Sequence, residues 1–177
     1  EYTAKNPDKP RFVAGSVGPT NKTCSMSPDV NNPAYRALSY DELAASYQQQ
    51  MEAMLEGGVD AILIETIFDT LNAKAAIFAA EQAMKMTGIE VPIMLSVTVS
   101  DIGGRTLSGQ TLDAFLASVQ HANIFSVGLN CSFGARQLKP FLEQLASRAP
   151  YYISAYPNAG LPNSLGKYDQ TPADMAH

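Results

Sequence analysis

Short runs of consecutive apolar residues alternate along the chain with longer segments in which apolar residues recur at helical spacing. Glycine, proline and polar residues bound the runs, which is typical of strands buried on both faces of a parallel sheet. Five runs predict strands: RFVAGSV (11–17), VDAILIET (59–66), PIMLSVTVS (92–100), IFSVGLN (124–130) and YYISAYP (151–157). Strand and helix recur at intervals of roughly 30 residues, which predicts βαβ units and a parallel sheet.

The segments between the runs carry signals for the starts of helices. Ser39 begins one helix, because Glu42 follows three residues later and completes a capping box. Asp69 is expected to cap the next helix. The last long helix is predicted from about Gln137, with Pro140 in its first turn, where proline is tolerated.

Two folds fit this alternation: a doubly wound sheet and a (β/α)8 (TIM) barrel. We favour the barrel, because a polar loop follows each strand and a barrel opens all such loops on one face. A barrel has eight strands, whereas five are visible, and the last residues begin a helix at Thr171 and Pro172 that the chain does not continue. We therefore expect an α/β fold, a partial (β/α)8 barrel, in which residues 1–177 are a fragment of a larger domain that lacks strands at both ends.

Composition and charge narrow the possible partners. Of the 177 residues, 46% are hydrophobic and 16% are charged, which suits a globular core. The net charge is −5 and Lys and Arg form no cluster, so neither nucleic acid nor an anionic membrane is expected as a partner. No apolar run reaches the roughly 18 residues of a membrane span. We expect both cysteines, Cys24 and Cys131, to be reduced and the protein to be cytoplasmic.

Cys131 ends the fourth predicted strand, on the face where a barrel places its active site. It could be a nucleophile, a metal ligand or a packing residue. A nucleophile needs a neighbouring base, and neither His121 nor His177 is placed to serve. A thiolate that binds zinc needs further ligands beside it, and the only other thiol is Cys24. We expect Cys24 to be a small buried apolar residue. Spacing alone favours packing, leaves the metal role open and assigns no catalytic residue.

Polar residues end two other predicted strands. Glu65 follows a buried apolar run, where a carboxylate is costly to bury without a partner. It could bind a substrate ammonium, act as a base, or form an ion pair with a neighbouring Arg or Lys. Asn130 and Asn158 could offer an amide to a substrate or hold a loop.

Five segments, distributed in order over nearly the whole chain, resemble the homocysteine-binding domain of cobalamin-dependent methionine synthases: FVAGSVGPTN, DAILIETIFDTLNAKAA, GRTLSGQT, GLNCSFG and YPNAGLPN. The resemblance implies a (β/α)8 barrel in which the five strands here are the third to seventh. It implies that Cys131 is one of three cysteine ligands of a zinc ion, and that the other two lie outside this chain in a Gly-Gly-Cys-Cys-Gly stretch. Cys24 matches no ligand. Glu65 matches the acid that meets the homocysteine amino group, and Asn158 lies in a loop that lines the same pocket.

The function that this resemblance implies is methyl transfer to homocysteine. The zinc-bound homocysteine thiolate would accept a methyl group from methylcobalamin, with 5-methyltetrahydrofolate as the ultimate donor, to give methionine. Methylcobalamin and methyltetrahydrofolate would be bound by other domains of the parent chain, and the fragment alone is expected to be inactive. Two alternatives stay open: a homocysteine S-methyltransferase that uses a small donor such as S-methylmethionine or betaine, and a non-catalytic partial barrel that binds a partner.

Overall fold

A computed structural model of the chain describes residues 1–176, and His177 lies outside the described residues. Its centre is a sheet of five parallel strands in the order β1-β2-β3-β4-β5. The strands are β1 (Ala14–Val17), β2 (Ala61–Ile67), β3 (Ile93–Val97), β4 (Ile124–Gly134) and β5 (Tyr152–Asn158). All five predicted strands are present, and the predicted α/β class is confirmed.

The order of the strands distinguishes between the two folds that fitted the sequence. In a doubly wound sheet the order reverses at a switch point, because successive crossovers change direction. Here every strand pairs in parallel with the strand that follows it in the chain. This is the arrangement of a (β/α)8 barrel, so the predicted partial barrel is confirmed.

Four longer helices connect the strands and lie against one face of the sheet, whereas two four-residue helices near the ends of the chain bury no residue. In chain order the helices are α1 (Tyr2–Lys5), α2 (Tyr40–Glu56), α3 (Thr70–Thr87), α4 (Leu112–Val119), α5 (Ala135–Arg148) and α6 (Pro172–Met175). Ser39 and Glu42 make both hydrogen bonds of the predicted capping box, and the Asp69 side chain accepts two amide N–H groups at the start of α3. Within the described part of the chain, no helix combines the length and the apolar character needed to cross a bilayer.

The hydrophobic core fills the space between the sheet and the helices. The part of α3 that faces the sheet consists largely of alanines that are at most 2% exposed: Ala73, Ala75, Ala76, Ala79, Ala80 and Ala83. Because alanine has no atoms beyond Cβ, α3 packs closely against both the sheet and α2. The opposite face of the sheet, which corresponds to the inside of a barrel, carries polar side chains at its carboxyl end: Ser16, Glu65, Ser96 and Asn130.

Two element boundaries differ from the sequence prediction. Strand β4 continues past Asn130 to Gly134, because Gly134 pairs with Asn158 of β5 after an irregular step. Helix α5 then begins at Ala135 rather than near Gln137. Pro140 therefore lies in the second turn rather than the first, and its missing N–H leaves the carbonyl group of Arg136 without the usual helical donor.

Strands β4 and β5 approach closely at Gly128. This residue is aligned with Ser154, and a Cβ atom at position 128 would lie 2.1 Å from the Ser154 carbonyl oxygen. No side chain fits at that distance from main-chain atoms. The glycine of the GLNC segment is therefore required by strand pairing.

The sheet has two unpaired edges, β1 and β5. Apolar side chains are exposed along both: Phe12 (77%) and Val13 (59%) beside β1, and Tyr152 (71%) and Ile153 (37%) in β5. All four residues lie in the first and last of the five predicted strand segments, RFVAGSV and YYISAYP.

Candidate active site

The carboxyl ends of β2 and β4 bring together two of the residues singled out in the sequence, Glu65 and Cys131. Both are half-buried. Parallel strands end at the same edge of a sheet, so residues that are far apart in the chain meet there. The structure therefore places a carboxylate and a thiol on the face where a barrel enzyme has its active site.

Hydroxyl groups, rather than a cation, surround the Glu65 carboxylate. The Ser16 hydroxyl donates to Oε1 at 3.3 Å, and the Thr66 hydroxyl makes a short hydrogen bond to Oε2. None of the ion pairs formed among residues 1–176 includes Glu65. The carboxylate charge is therefore not neutralised by a described Lys or Arg.

The Cys131 backbone has an unusual conformation. Its φ angle is 58° and that of Ser132 is 60°, so two consecutive residues other than glycine lie in the left-handed region. The Asn130 side-chain N–H donates to the Cys131 sulfur at 3.0 Å. Strain of this kind persists where surrounding contacts hold it, and it is concentrated at functional sites.

Thr66 connects the acid to the thiol, and sequence reasoning had given it no role. Its hydroxyl contacts the Glu65 carboxylate and lies 4.0 Å from the Cys131 sulfur. Its φ angle of 53° is rare for a β-branched residue. A Thr that ends a buried apolar run carries no local pattern that signals either property.

Tyr156 of β5 is a second residue that the sequence did not single out. It is aligned with Asn130 of β4. Burial raises the pKa of its phenol, the nearby Ser96 hydroxyl partly offsets that shift, and the nearby Glu65 and Cys131 raise the pKa further. Tyr156 therefore faces the same space as the acid and the thiol.

Asn158 is the last residue of β5, where it is half-buried and aligned with Gly134. It lies at the same edge of the sheet as Glu65 and Cys131. None of the side-chain hydrogen bonds within residues 1–176 joins it to either one.

Cys24 lies away from this site and has a structural environment. It is 6% exposed, and its backbone N–H donates to Asn72 at 2.8 Å. Burial and the nearby charge of Asp69 raise the pKa of its thiol. His121 is exposed just before β4, at the opposite end of that strand from Cys131.

The sequence matches the model of one protein family. The model of the family described as homocysteine S-methyltransferase matches residues 1–177. The chain belongs to the homocysteine S-methyltransferase family. A thiol and an unpaired carboxylate at the carboxyl ends of parallel strands are thus the candidate active site of a member of that family.

Crystal structures of the homocysteine methyltransferase MmuM from Escherichia coli share the fold of this homocysteine S-methyltransferase family member. The apo form has a TM-score of 0.71 at 24% identity, over 99% of this chain and 64% of that chain. The metallated form has a TM-score of 0.71 at 23% identity, over 99% and 63%. The chain thus spans a little under two thirds of the length of these proteins.

Proposed function

We propose that the chain is part of the homocysteine-binding barrel of a cobalamin-dependent methionine synthase. In this proposal the homocysteine sulfur accepts a methyl group from methylcobalamin, which methyltetrahydrofolate recharges on other domains of the parent chain. The observation that carries the proposal is the position of the Thr66 hydroxyl, which contacts the Glu65 carboxylate and lies 4.0 Å from the Cys131 sulfur. An acid and a thiol therefore flank one small space, as a ligand with an ammonium group and a thiol requires.

Glu65 would bind the ammonium group of homocysteine. Its carboxylate has two hydroxyl donors and no cationic partner among residues 1–176, so its negative charge is available to a ligand. A hydrogen bond between charged groups is stronger than one between neutral groups, which favours the amino acid over a neutral thiol. Asn158 would line the same pocket and offer its amide to the substrate.

Cys131 would be one ligand of a zinc ion. Its thiol is half-exposed at the rim, and a thiolate is a ligand that zinc prefers. Residues 1–176 contain no group of three His, Cys, Asp or Glu side chains that could hold a metal ion, so the two further ligands would come from outside this chain. When bound, zinc lowers the pKa of the homocysteine thiol and so supplies a thiolate at neutral pH. The chain alone should bind zinc weakly, because affinity depends on assembling all the ligands.

The methyl donor decides between this proposal and its alternatives. The parent protein, assayed with homocysteine and with methylcobalamin, S-methylmethionine or betaine in turn, should form methionine from methylcobalamin. Turnover with S-methylmethionine or betaine instead would identify a homocysteine S-methyltransferase that uses a small methyl donor. A zinc-loaded protein that used none of the three donors would be a non-catalytic binding module.

A further inference from the structure

We propose that Asn130 is a positioning residue that couples the Cys131 thiol to the Glu65 carboxylate through the Thr66 hydroxyl. This inference rests on the proposed function in one respect: the thiol is taken to bind the metal and the acid to bind the substrate. The coupling itself is a property of the hydrogen bonds in the chain.

The orientation of the Asn130 amide follows from one backbone contact. The Thr66 backbone N–H can only donate, and it points at the Asn130 side-chain oxygen at 3.2 Å. The Ser96 hydroxyl donates to the same oxygen at 2.6 Å. The amide nitrogen must therefore face the other way, where it donates to the Thr66 hydroxyl at 2.7 Å and to the Cys131 sulfur at 3.0 Å.

Asn130 uses its full hydrogen-bonding capacity. A side-chain amide has two acceptor sites and two donor hydrogens, and all four have partners here. Its backbone carbonyl also accepts from the Thr98 hydroxyl at 2.7 Å. The residue is 1% exposed, so water does not compete for these bonds. A buried polar group with every partner present holds a single geometry.

Two of the residues that Asn130 contacts have left-handed backbones. Thr66 and Cys131 have φ angles of 53° and 58°. The Asn130 amide holds Thr66 by both its backbone and its hydroxyl, and holds Cys131 by its sulfur. These contacts stabilise both conformations at once.

The network continues from Thr66 to the acid. The Thr66 hydroxyl accepts from Asn130 and donates its own proton to the Glu65 carboxylate. One unbroken series of hydrogen bonds therefore runs from the thiol to the carboxylate. A displacement of Asn130 would therefore move Thr66 and Cys131 together, so the two ends of the site are held in one shared geometry.

The test is the rate at which iodoacetamide alkylates Cys131 at neutral pH, measured in the 177-residue chain with Cys24→Ala to leave one thiol. Asn130→Asp keeps the shape, removes the N–H donor and places a carboxylate beside the sulfur. We expect alkylation to slow by about tenfold, because the sulfur loses the N–H donor that holds it in place and the new carboxylate repels the negative charge of the attacking sulfur. Asn130→Ala removes the donor without adding charge and should slow alkylation less.

Ser126→Ala is the matched control. Ser126 is a buried polar residue of the same strand, 2% exposed, and its hydroxyl has no hydrogen-bond partner among residues 1–176. In the Ser126→Ala chain, the alkylation rate of Cys131 should stay within about twofold of the parent rate. If Asn130 merely supported the strand, its replacement would loosen the strand and expose the sulfur. Alkylation of Cys131 would then be faster, whereas the proposal expects it to be slower. An unchanged or faster rate in a folded Asn130→Asp chain would overturn the coupling.

One measurement needs no substitution at Asn130 and decides the question even if both variants fail to fold. Alkylation of Cys131 should shift the NMR signals of the Asn130 side-chain amide and of the Thr66 backbone amide. Signals that do not move would refute the coupling. Neither experiment uses zinc or homocysteine. The coupling can therefore be found where the proposed function fails, and the proposed function can hold where the coupling is not found.

Discussion

The hydroxyl of Thr66 lies 4.0 Å from the sulfur of Cys131, although 65 positions separate the two residues in the chain. Both residues lie at the carboxyl ends of parallel strands, and both have left-handed backbones. The contact joins the thiol side of the candidate site to its acidic side. The first two predictions test those two sides separately.

Cys131→Ser in the full-length protein should remove zinc and methyl transfer together, because a hydroxyl is a much poorer zinc ligand than a thiolate. The fold should persist, since the side chain is half-exposed. Metal content by atomic emission and methionine formation measure the two losses. Cys24→Ala is the control and should retain both zinc and activity. Stoichiometric zinc with normal turnover in the Cys131 variant would show that the ligand assignment is wrong.

Glu65→Gln should raise the KM for homocysteine and leave the zinc content unchanged. Losing one hydrogen bond between charged groups costs about 1.5–3 kcal/mol, which corresponds to about a 10- to 150-fold rise in KM. Glu56→Gln changes an exposed acid of α2 outside the site and should leave the KM unaltered. An unaltered KM in the Glu65 variant, with a lower melting temperature, would favour a structural role for the acid.

Gly128→Ala should destabilise the chain, because the added methyl group would meet the Ser154 carbonyl group at 2.1 Å. Overpacking of this kind costs about 1–3 kcal/mol, and sometimes more. Gly15→Ala is the control, because its nearest neighbour is the Met54 sulfur at 2.9 Å, on a flexible side chain that can move. Urea unfolding of both variants should show the larger loss at position 128. Equal losses would contradict the close approach of the strands.

The capping box of α2 should make stability depend on pH in the acid range. Hydrogen bonds from the Ser39 backbone and side chain lower the pKa of Glu42 in the folded chain. This contribution is therefore present above the pKa of the unfolded chain and is lost as the pH falls through the folded pKa. Glu42→Gln should flatten the decline in melting temperature below about pH 5, relative to the parent chain. Parallel pH profiles for the two chains would contradict the assignment.

The exposed edges of the sheet should make the 177-residue chain self-associate. Unpaired apolar strands recruit other strands, and charged residues on an edge prevent this. Val13→Lys and Ile153→Lys together should reduce light scattering. Val30→Lys is the control, because Val30 is 90% exposed in a loop away from both edges. Equal effects of the edge and loop changes would indicate that general solubility, rather than edge pairing, governs association.

The strands and helix starts were predictable from sequence because each depends on residues near one another in the chain. Apolar runs identified all five strands, and Ser39 and Asp69 identified two helix starts. The extension of β4 to Gly134 was not predictable, because it depends on pairing with Asn158 in another strand. Because β4 ends at Gly134, α5 begins at Ala135, before the predicted start near Gln137, and Pro140 lies in the interior of the helix.

The candidate site was predictable only in part. Glu65, Cys131 and Asn158 were singled out because each ends an apolar run, and their roles stay predictions. Thr66 and Tyr156 were missed, because their importance comes from neighbours in other strands. Asn130 was noted as a strand end, whereas its four side-chain bonds could be seen only in three dimensions.

The order of the strands has a consequence for how the chain assembles on the ribosome. Because each strand pairs with the one made just before it, every newly emerged strand finds its partner already synthesised. Within β1–β5 each pairing closes over only one connecting helix and its loops. Growth of the sheet can therefore keep pace with translation, so that one exposed edge stays at β1 while the other is always the most recently made strand.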